Sequence, residues 1–275
     1  MSKVSEKCSI LIISTDSNSD LWPFFFKLFK LNWKDCKMPI YLMSEKKTYK
    51  DQDLLIKNNF PYKKSNINLW SNRLIKNLKQ IETDYVIPIL DDFFIELTVN
   101  QKKIEEFISI LDKYTNSAVI YFSEHSGGGK PTNIHNDLLI RPKKIPYKVS
   151  AQIGIWRVLD LLYFIKPFEN PWQFEIHGSK RAWYSDKNFF VIKSNDISPI
   201  RYTFTGVLKR GKWIEKVINN LIFKYELKII LNKRGIDNNI KKNYFERILD
   251  FFKRNSYFFI NRFKYYLWVL KIIKL

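Results

Sequence analysis

In "DYVIPILDDFFIE", residues 84–96, two adjacent carboxylates, Asp91 and Asp92, interrupt a run of β-forming residues that resumes at once with Phe93 and Phe94. Tyr85 to Leu90 reads as a strand apolar on both faces, which puts the acids near its C-terminal end. A hard divalent cation takes oxygen ligands and is commonly held by one or two carboxylates together with a ligand's phosphates. Mn2+ or Mg2+ between Asp91, Asp92 and a phosphate group is one reading of the pair; a solvated turn and a helix cap are the others. A second carboxylate, Glu175 in "NPWQFEIHGS", sits among Trp172, Phe174 and His177. Desolvation by such neighbours raises a carboxyl pKa toward the range useful for a general base. A capping or salt-bridged Glu explains the same residue, and His177 is open between assisting an anionic ligand and a structural role.

Other stretches carry weaker chemistry. "EHSGGGKPT" fails the Walker pattern, because position 124 is Glu and position 131 is Pro; its glycines suit a mobile loop over a site. His125, His135 and Asp137 lack a regular ligand spacing.

The elements that must position these residues alternate. "CSILIIST" predicts a strand, "DSNSD" a polar break, and "LWPFFFKLFKLNW" a helix packed on a sheet; "MPIYLMSE" predicts the next strand and "NLWSNRLIKNLKQIET" an amphipathic helix with Leu74, Ile75, Leu78 and Ile81 on one face. The strand ending at Asp91 follows. "VNQKKIEEFISILDKY" and "VLDLLYFIKPF" read as helices, "SAVIYFSE" as a strand, "LLIRPKKIPYKVSAQIGIWR" as short strands broken by prolines, and "PIRYTFTGVLKRGKW" as a terminal strand region. This alternation predicts an α/β fold with an open, mostly parallel sheet flanked by helices, in which ligands bind beyond the carboxyl ends of the strands.

The segment "NLWSNRLIKNLKQIETDYVIPILDDFF" resembles the nucleotide-binding half of GT-A-fold glycosyltransferases, where a helix with Asn or Arg near its start leads into a strand ending in an aspartate-rich, metal-chelating motif. "SILIISTDSNSDLWPFFFKLFKLNW" is similar to that family's first strand and nucleobase-contacting loop, so the resemblance covers roughly residues 8–100. The family motif is Asp-X-Asp or a run of three acids; Phe93 follows the pair here, which leaves open which aspartate ligates and whether a metal is needed. The resemblance implies a GT-A-like catalytic domain over 1–212, with a nucleotide-binding half (1–100) and an acceptor half (101–212). It implies a nucleotide-sugar donor contacted by Thr15, Asp16, Asn72 and Arg73, and a metal at Asp91 and Asp92. For inversion of the sugar, the acceptor hydroxyl must lose its proton to a positioned base, and Glu175 follows the Asp pair at a separation like that of the catalytic acid in inverting relatives. Arg73 reads equally as an exposed helix charge. Trp156 and Arg157 of "AQIGIWR", with Trp172 and His177, are candidates for an acceptor-binding wall; Trp156 and Arg157 also suit a core strand and a surface Arg.

With 47 Lys plus Arg against 27 Asp plus Glu, the 275-residue chain carries a formal charge of +20, which favours polyanionic partners. Part of the excess follows from a Lys-, Asn- and Ile-rich composition. Two cysteines, Cys8 and Cys36, do not make a disulfide framework or a zinc site and suggest a reducing compartment. The first apolar run is too short for a signal peptide or a membrane span. From 213 to 275 a helical, basic and aromatic extension is expected, with Arg247, Lys253, Arg254, Arg262, Lys264 and Lys271 spaced too closely for a span; an anionic membrane surface suits it, and so does packing as a helical subdomain on the core or on another subunit. The combined expectation is a cytoplasmic, peripheral glycosyltransferase acting on a glycan or glycolipid acceptor, with the extension also offering a surface for self-association. A nucleic-acid-binding protein, suggested by charge and 45 aromatic residues, and a catalytically inactive scaffold are the rivals; the first lacks a recognisable binding module.

Overall fold

The structure, a computed structural model, describes residues 4–59, 69–124, 128–229, 231–237 and 267. In chain order the elements are α1 (Val4–Lys7), β1 (Cys8–Ile13), α2 (Trp22–Asn32), β2 (Ile40–Met43), β3 (Ile56–Asn59), α3 (Trp70–Leu78), β4 (Tyr85–Leu90), α4 (Gln101–Lys113), β5 (Ser117–Tyr121), β6 (Lys130–Pro131), β7 (Leu138–Ile140), β8 (Gly154–Arg157), α5 (Val158–Phe164), α6 (Pro171–Trp183), β9 (Asn188–Ile192), β10 (Leu208–Lys209), β11 (Lys212–Trp213) and α7 (Glu215–Tyr225). Nine strands form one sheet in the order β3-β2-β1-β4-β8-β5-β9-β7-β6. β3, β2, β1 and β4 are mutually parallel, β5 and β9 are parallel, and β7 and β8 run against the rest. The expected α/β class with a mostly parallel sheet is what the chain adopts.

Strict alternation within apolar strands explains why the sheet is covered on both sides. Ile10 and Ile12 of β1, Ile87 and Ile89 of β4, and Phe190 and Ile192 of β9 join one apolar cluster with residues of α2, α4 and α7. Leu11, Ile13, Val86, Phe189 and Val191 join a second cluster with α3, α5 and α6. Pro88 is tolerated in an interior strand because β8 pairs only with Tyr85 and Val86, so the strand is unpaired on that side where the missing N–H would fall. α6 begins at an Asn170–Gln173 capping box with Pro171 in its first turn.

Two features differ from the sequence reading. β3 and β9 are absent from it, and the strand region expected near 199–213 shrinks to the β10–β11 hairpin plus an isolated Ile95–Tyr202 bridge. Gly129 is no hinge: a Cβ there would lie 2.7 Å from Leu139 Cβ, so it serves the close approach of β6 to β7. At the start of the extension, Trp213, Ile218, Leu221 and Leu227 belong to the same cluster as β1, the packing on the core that the sequence left open. α7 is the helical part of the extension that is described; residues 238–266 and 268–275, with their basic positions, lie outside the described residues. Among the described residues, no helix is long and apolar enough to cross a membrane.

Candidate functional site

β1 and β4 end side by side, and their pairing runs one residue beyond the ladder through Asp91 N–H to Ile13 C=O at 3.2 Å. That extension carries Asp91 inward, where it is 4% exposed. The Ser14 hydroxyl donates to its Oδ2 and the Asn18 side-chain amide to its Oδ1 at 3.2 Å; the Trp22 indole N–H donates to Ser14 Oγ at 2.7 Å. Burial pushes Asp91 up to about 7, with the neighbouring Asp92 charge adding to the rise and the Ser14 bond opposing it. Asp92 is half-buried, and desolvation pushes it up to about 6. Its carbonyl accepts from Val207 N–H at 2.9 Å, which draws the 202–207 segment across the strand end.

Both oxygens of Asp91 are engaged, so Asp92 presents the available carboxylate. Among the described residues, no group of three or more His, Cys, Asp or Glu is placed to hold a metal ion. This donor set fits a cation that draws most of its oxygens from a bound phosphate and water, and does not fit an all-protein cage.

Beside the pair lies an ionic node. Asp16 accepts the backbone N–H groups of Glu45, Lys46 and Lys47 at 3.0 Å each, which holds its carboxylate below the usual range against partial desolvation. Glu45 accepts from Asp16 N–H and from Arg73 Nη1, and Arg73 also reaches Ser14 C=O at 3.5 Å. Arg73 is 3% exposed, so it is not a solvated helix charge, and its Nε has no hydrogen-bond partner among the described residues. Asn72 is buried with its Oδ1 accepting from Phe168 N–H at 2.9 Å, and Thr15 bonds Ser17 Oγ at 2.7 Å. Asp16 and Asn72 thus hold loops together at the strand ends. Arg73 and Thr15 touch Ser14, the partner of Asp91: Arg73 donates to Ser14 C=O and Thr15 C=O accepts from the Ser14 hydroxyl at 3.3 Å.

Glu175 reaches the same end of the sheet from α6. Its Oε1 accepts from Ala151 N–H at 2.9 Å and Ser150 Oγ at 3.2 Å, in the loop that precedes β8. Burial raises its pKa and these two bonds oppose the rise. A chain of contacts joins it to Asp92: Gln152, next to Ala151, donates from Nε2 to Phe204 C=O at 3.4 Å and accepts from Tyr202 OH at 2.6 Å, and the same segment presses Gly206 against Asp92. Trp172 is exposed on the same helix, and His177 lies 3.4 Å from Glu169 Oε1.

Trp156 and Arg157 do not join them. Trp156 is 1% exposed and packs edge-on to Tyr121 and Phe189. β8 runs antiparallel to β4, which pairs Arg157 with Tyr85 at the opposite end of the strand from Asp91; Arg157 donates to Leu111 C=O at 2.8 Å. The acceptor-wall expectation for these two residues is corrected on that geometry. His135 and Asp137 instead form an ion network with Lys103 and Glu106, and His125 lies outside the described residues. Ser14, Asn18, Glu45 and Gly206 were not singled out from the sequence; a glycine in so Gly-poor a chain, Gly206 in "TFTGV", was the signal available.

No protein-family model matches the chain, and no curated protein matches it. Similar solved structures include S. aureus TarS 1-349 in complex with UDP, at 16% identity over 71% of this chain and 59% of that one, with a TM-score of 0.48. The same protein in complex with UDP-GlcNAc is 17% identical over 71% and 57%, TM-score 0.45. CMP:2-keto-3-deoxy-manno-octonic acid synthetase complexed with CTP is 11% identical over 67% and 88%, TM-score 0.39. The chain spans less than two thirds of the length of the TarS structures it matches. At these identities no role passes to any residue.

Proposed function

We propose that the chain transfers a sugar from a nucleotide-diphosphate donor to a hydroxyl of a surface glycan, lipid-linked, with inversion at the transferred carbon. The observation that carries this reading is the joint placement of two desolvated acids, Asp92 and Glu175, at the carboxyl end of one sheet, linked through the 202–207 segment. A carboxylate that stays unneutralised in so desolvated a place calls for a cationic or proton-sharing partner. Asp92, supported by Asp91, would hold Mn2+ or Mg2+ on the donor's diphosphate, and that cation would supply charge stabilisation for the leaving group.

Glu175 acts on the other side. With Oε1 held by Ala151 and Ser150, its Oε2 accepts the acceptor's O–H; the proton passes to the carboxylate as the new C–O bond forms and the bond to the diphosphate oxygen breaks. Exposed Trp172, three residues before Glu175, offers a ring face to the acceptor. The basic extension would hold the enzyme as a peripheral protein at the inner, anionic face of the membrane, where a lipid-linked acceptor lies.

The test is thermal stability against UDP, GDP, CDP and dTDP, each with and without Mn2+ or Mg2+, on the wild type and Asp92→Asn. Stabilisation by one nucleotide that needs metal and disappears in the variant supports the reading. No shift with any nucleotide sinks it, and the scaffold or nucleic-acid readings then lead.

A further inference from the structure

The 231–237 segment, far along the chain from β1, returns to the strand-end loop. Trp213 N–H donates to Gly235 C=O at 3.0 Å and Asp237 N–H to Trp213 C=O at 2.9 Å, which fixes the segment to β11. From it Arg234 reaches the loop that follows β1: Nε donates to Asp20 Oδ2 at 2.7 Å, and Nη2 to Ser17 C=O at 2.9 Å, to Asn18 Oδ1 at 3.2 Å and to the second Asp20 oxygen. Nη1 donates to Gly211 C=O at 3.4 Å, and the guanidinium lies 6.0 Å from the Trp213 ring centre. Its side chain is 10% exposed. The fork is therefore engaged by acceptors on two separate segments.

The Asn18 contact has a directional consequence. A primary amide has a carbonyl that only accepts and an NH2 that only donates. With Oδ1 facing the Arg234 cation, Nδ2 faces Asp91 Oδ1. Arg234 and Asp91 hold the amide from opposite sides: its flip would turn the NH2 toward the guanidinium and set its oxygen against Asp91 Oδ1, so losing the Arg234 contact removes one of the two groups that orient it.

We propose that Arg234 is a positioning residue that orients the Asn18 amide toward Asp91, making the segment after α7 a working part of the candidate donor site. As far as donor binding is concerned, this rests on the function proposed above. The relay Arg234–Asn18–Asp91 joins residues that the sequence separates by more than two hundred positions, and it acts without Arg234 touching the ligand.

The experiment uses the full chain and two readouts. The first is the indole N–H resonance of Trp22 in the ligand-free protein, since that group reports on Asp91 through Ser14. Arg234→Lys, which keeps the charge but loses the planar fork, and Asn18→Leu should each move this resonance, and the double variant should move it no further than Asn18→Leu alone. The second is affinity for UDP with Mn2+, or for whichever nucleotide the panel selects: each variant should weaken it about tenfold, again without additivity, while Lys27→Ala, a surface control, leaves both readouts unchanged. A Trp22 resonance unmoved by Arg234→Lys, or strictly additive shifts, would overturn the inference whatever the affinities. If the wild type binds no nucleotide, the proposed function fails, yet the resonance still decides on the relay. Should Arg234→Lys fail to fold, the same comparison with Asp20→Asn, which loosens the fork while leaving Asn18 and Arg234 in place, gives the decision.

Discussion

Gly206 stands against Asp92 so closely that a Cβ on it would fall 2.3 Å from Asp92 Oδ2, and its φ of +74° is one that residues with side chains rarely adopt. The glycine is thus a mould for the carboxylate, and the 202–207 segment confines Asp92 to one position at the end of β4.

Gly206→Ala should therefore act on the site and the fold together. Positive φ and the steric conflict should cost about 1–3 kcal/mol of stability, and, on the proposed function, displacing Asp92 should abolish the metal-dependent nucleotide response. In an Asp92→Ala background the steric part vanishes, so the same substitution should cost roughly half as much in urea unfolding. Equal costs in both backgrounds would mean that Asp92 is free to move away.

Burial of Asp91 predicts an unusual pH signature. Its folded pKa of about 7 lies above the unfolded value of 3.8, so the folded state holds the proton more tightly. The group's contribution to stability is complete below about pH 4 and is lost as pH rises through about 7, a difference of roughly 2–4 kcal/mol. Asp91→Asn should thus gain stability relative to the wild type between pH 5 and pH 8. Chemical denaturation of both proteins across that range measures it, and a pH-independent difference would refute the assignment of burial as the cause.

Glu45 and Arg73 make a pair in which the cation is almost entirely buried, with side-chain exposures of 21% and 4%. Removing only Glu45 leaves that cation unpaired, and Glu45→Ala is expected to cost about 3–5 kcal/mol. Glu45→Met with Arg73→Met should recover most of the loss. Melting temperatures of the single and double variants decide whether the node is structural in this sense.

Glu175→Gln separates binding from chemistry. The amide still accepts from Ala151 N–H and Ser150 but cannot take a proton, so turnover should fall about 10²–10⁴-fold while nucleotide affinity stays within about twofold. A transfer assay with the nucleotide sugar picked out by the stability panel, run beside a binding titration, checks both halves. Retained turnover would remove Glu175 as the base.

How much of this was legible beforehand follows from the kind of signal each residue gives. Asp91 and Asp92 were readable because a two-faced strand advertises its ends, and Glu175 because aromatic neighbours mark a desolvated acid. Trp156 and Arg157 misled because β8 is only four residues long, with nothing local to show that it runs antiparallel and carries Arg157 away from the site. Asn18 and Arg234 were out of reach, since neither carries meaning until folding brings the 231–237 segment back onto the β1 loop. The tie of Asp16 to the backbone of residues 45–47 depends on a loop pairing no pattern encodes.

The basic extension supports a last prediction, made for residues outside those the structure describes. Each Lys or Arg near an anionic bilayer contributes about 1 kcal/mol, so replacing Arg254, Arg262 and Lys264 by Gln in the full chain should weaken partitioning onto phosphatidylserine vesicles by roughly 100-fold. On the proposed function, nucleotide binding should be unaffected, because the residues proposed for it lie on β1, β4 and the segments against them. Vesicle sedimentation at low and high salt makes the measurement, with the wild-type signal expected to fall as salt screens the charge. Unchanged sedimentation of the variant would mean that the positive charge of the extension reflects composition, and would remove the membrane-surface part of the proposed function.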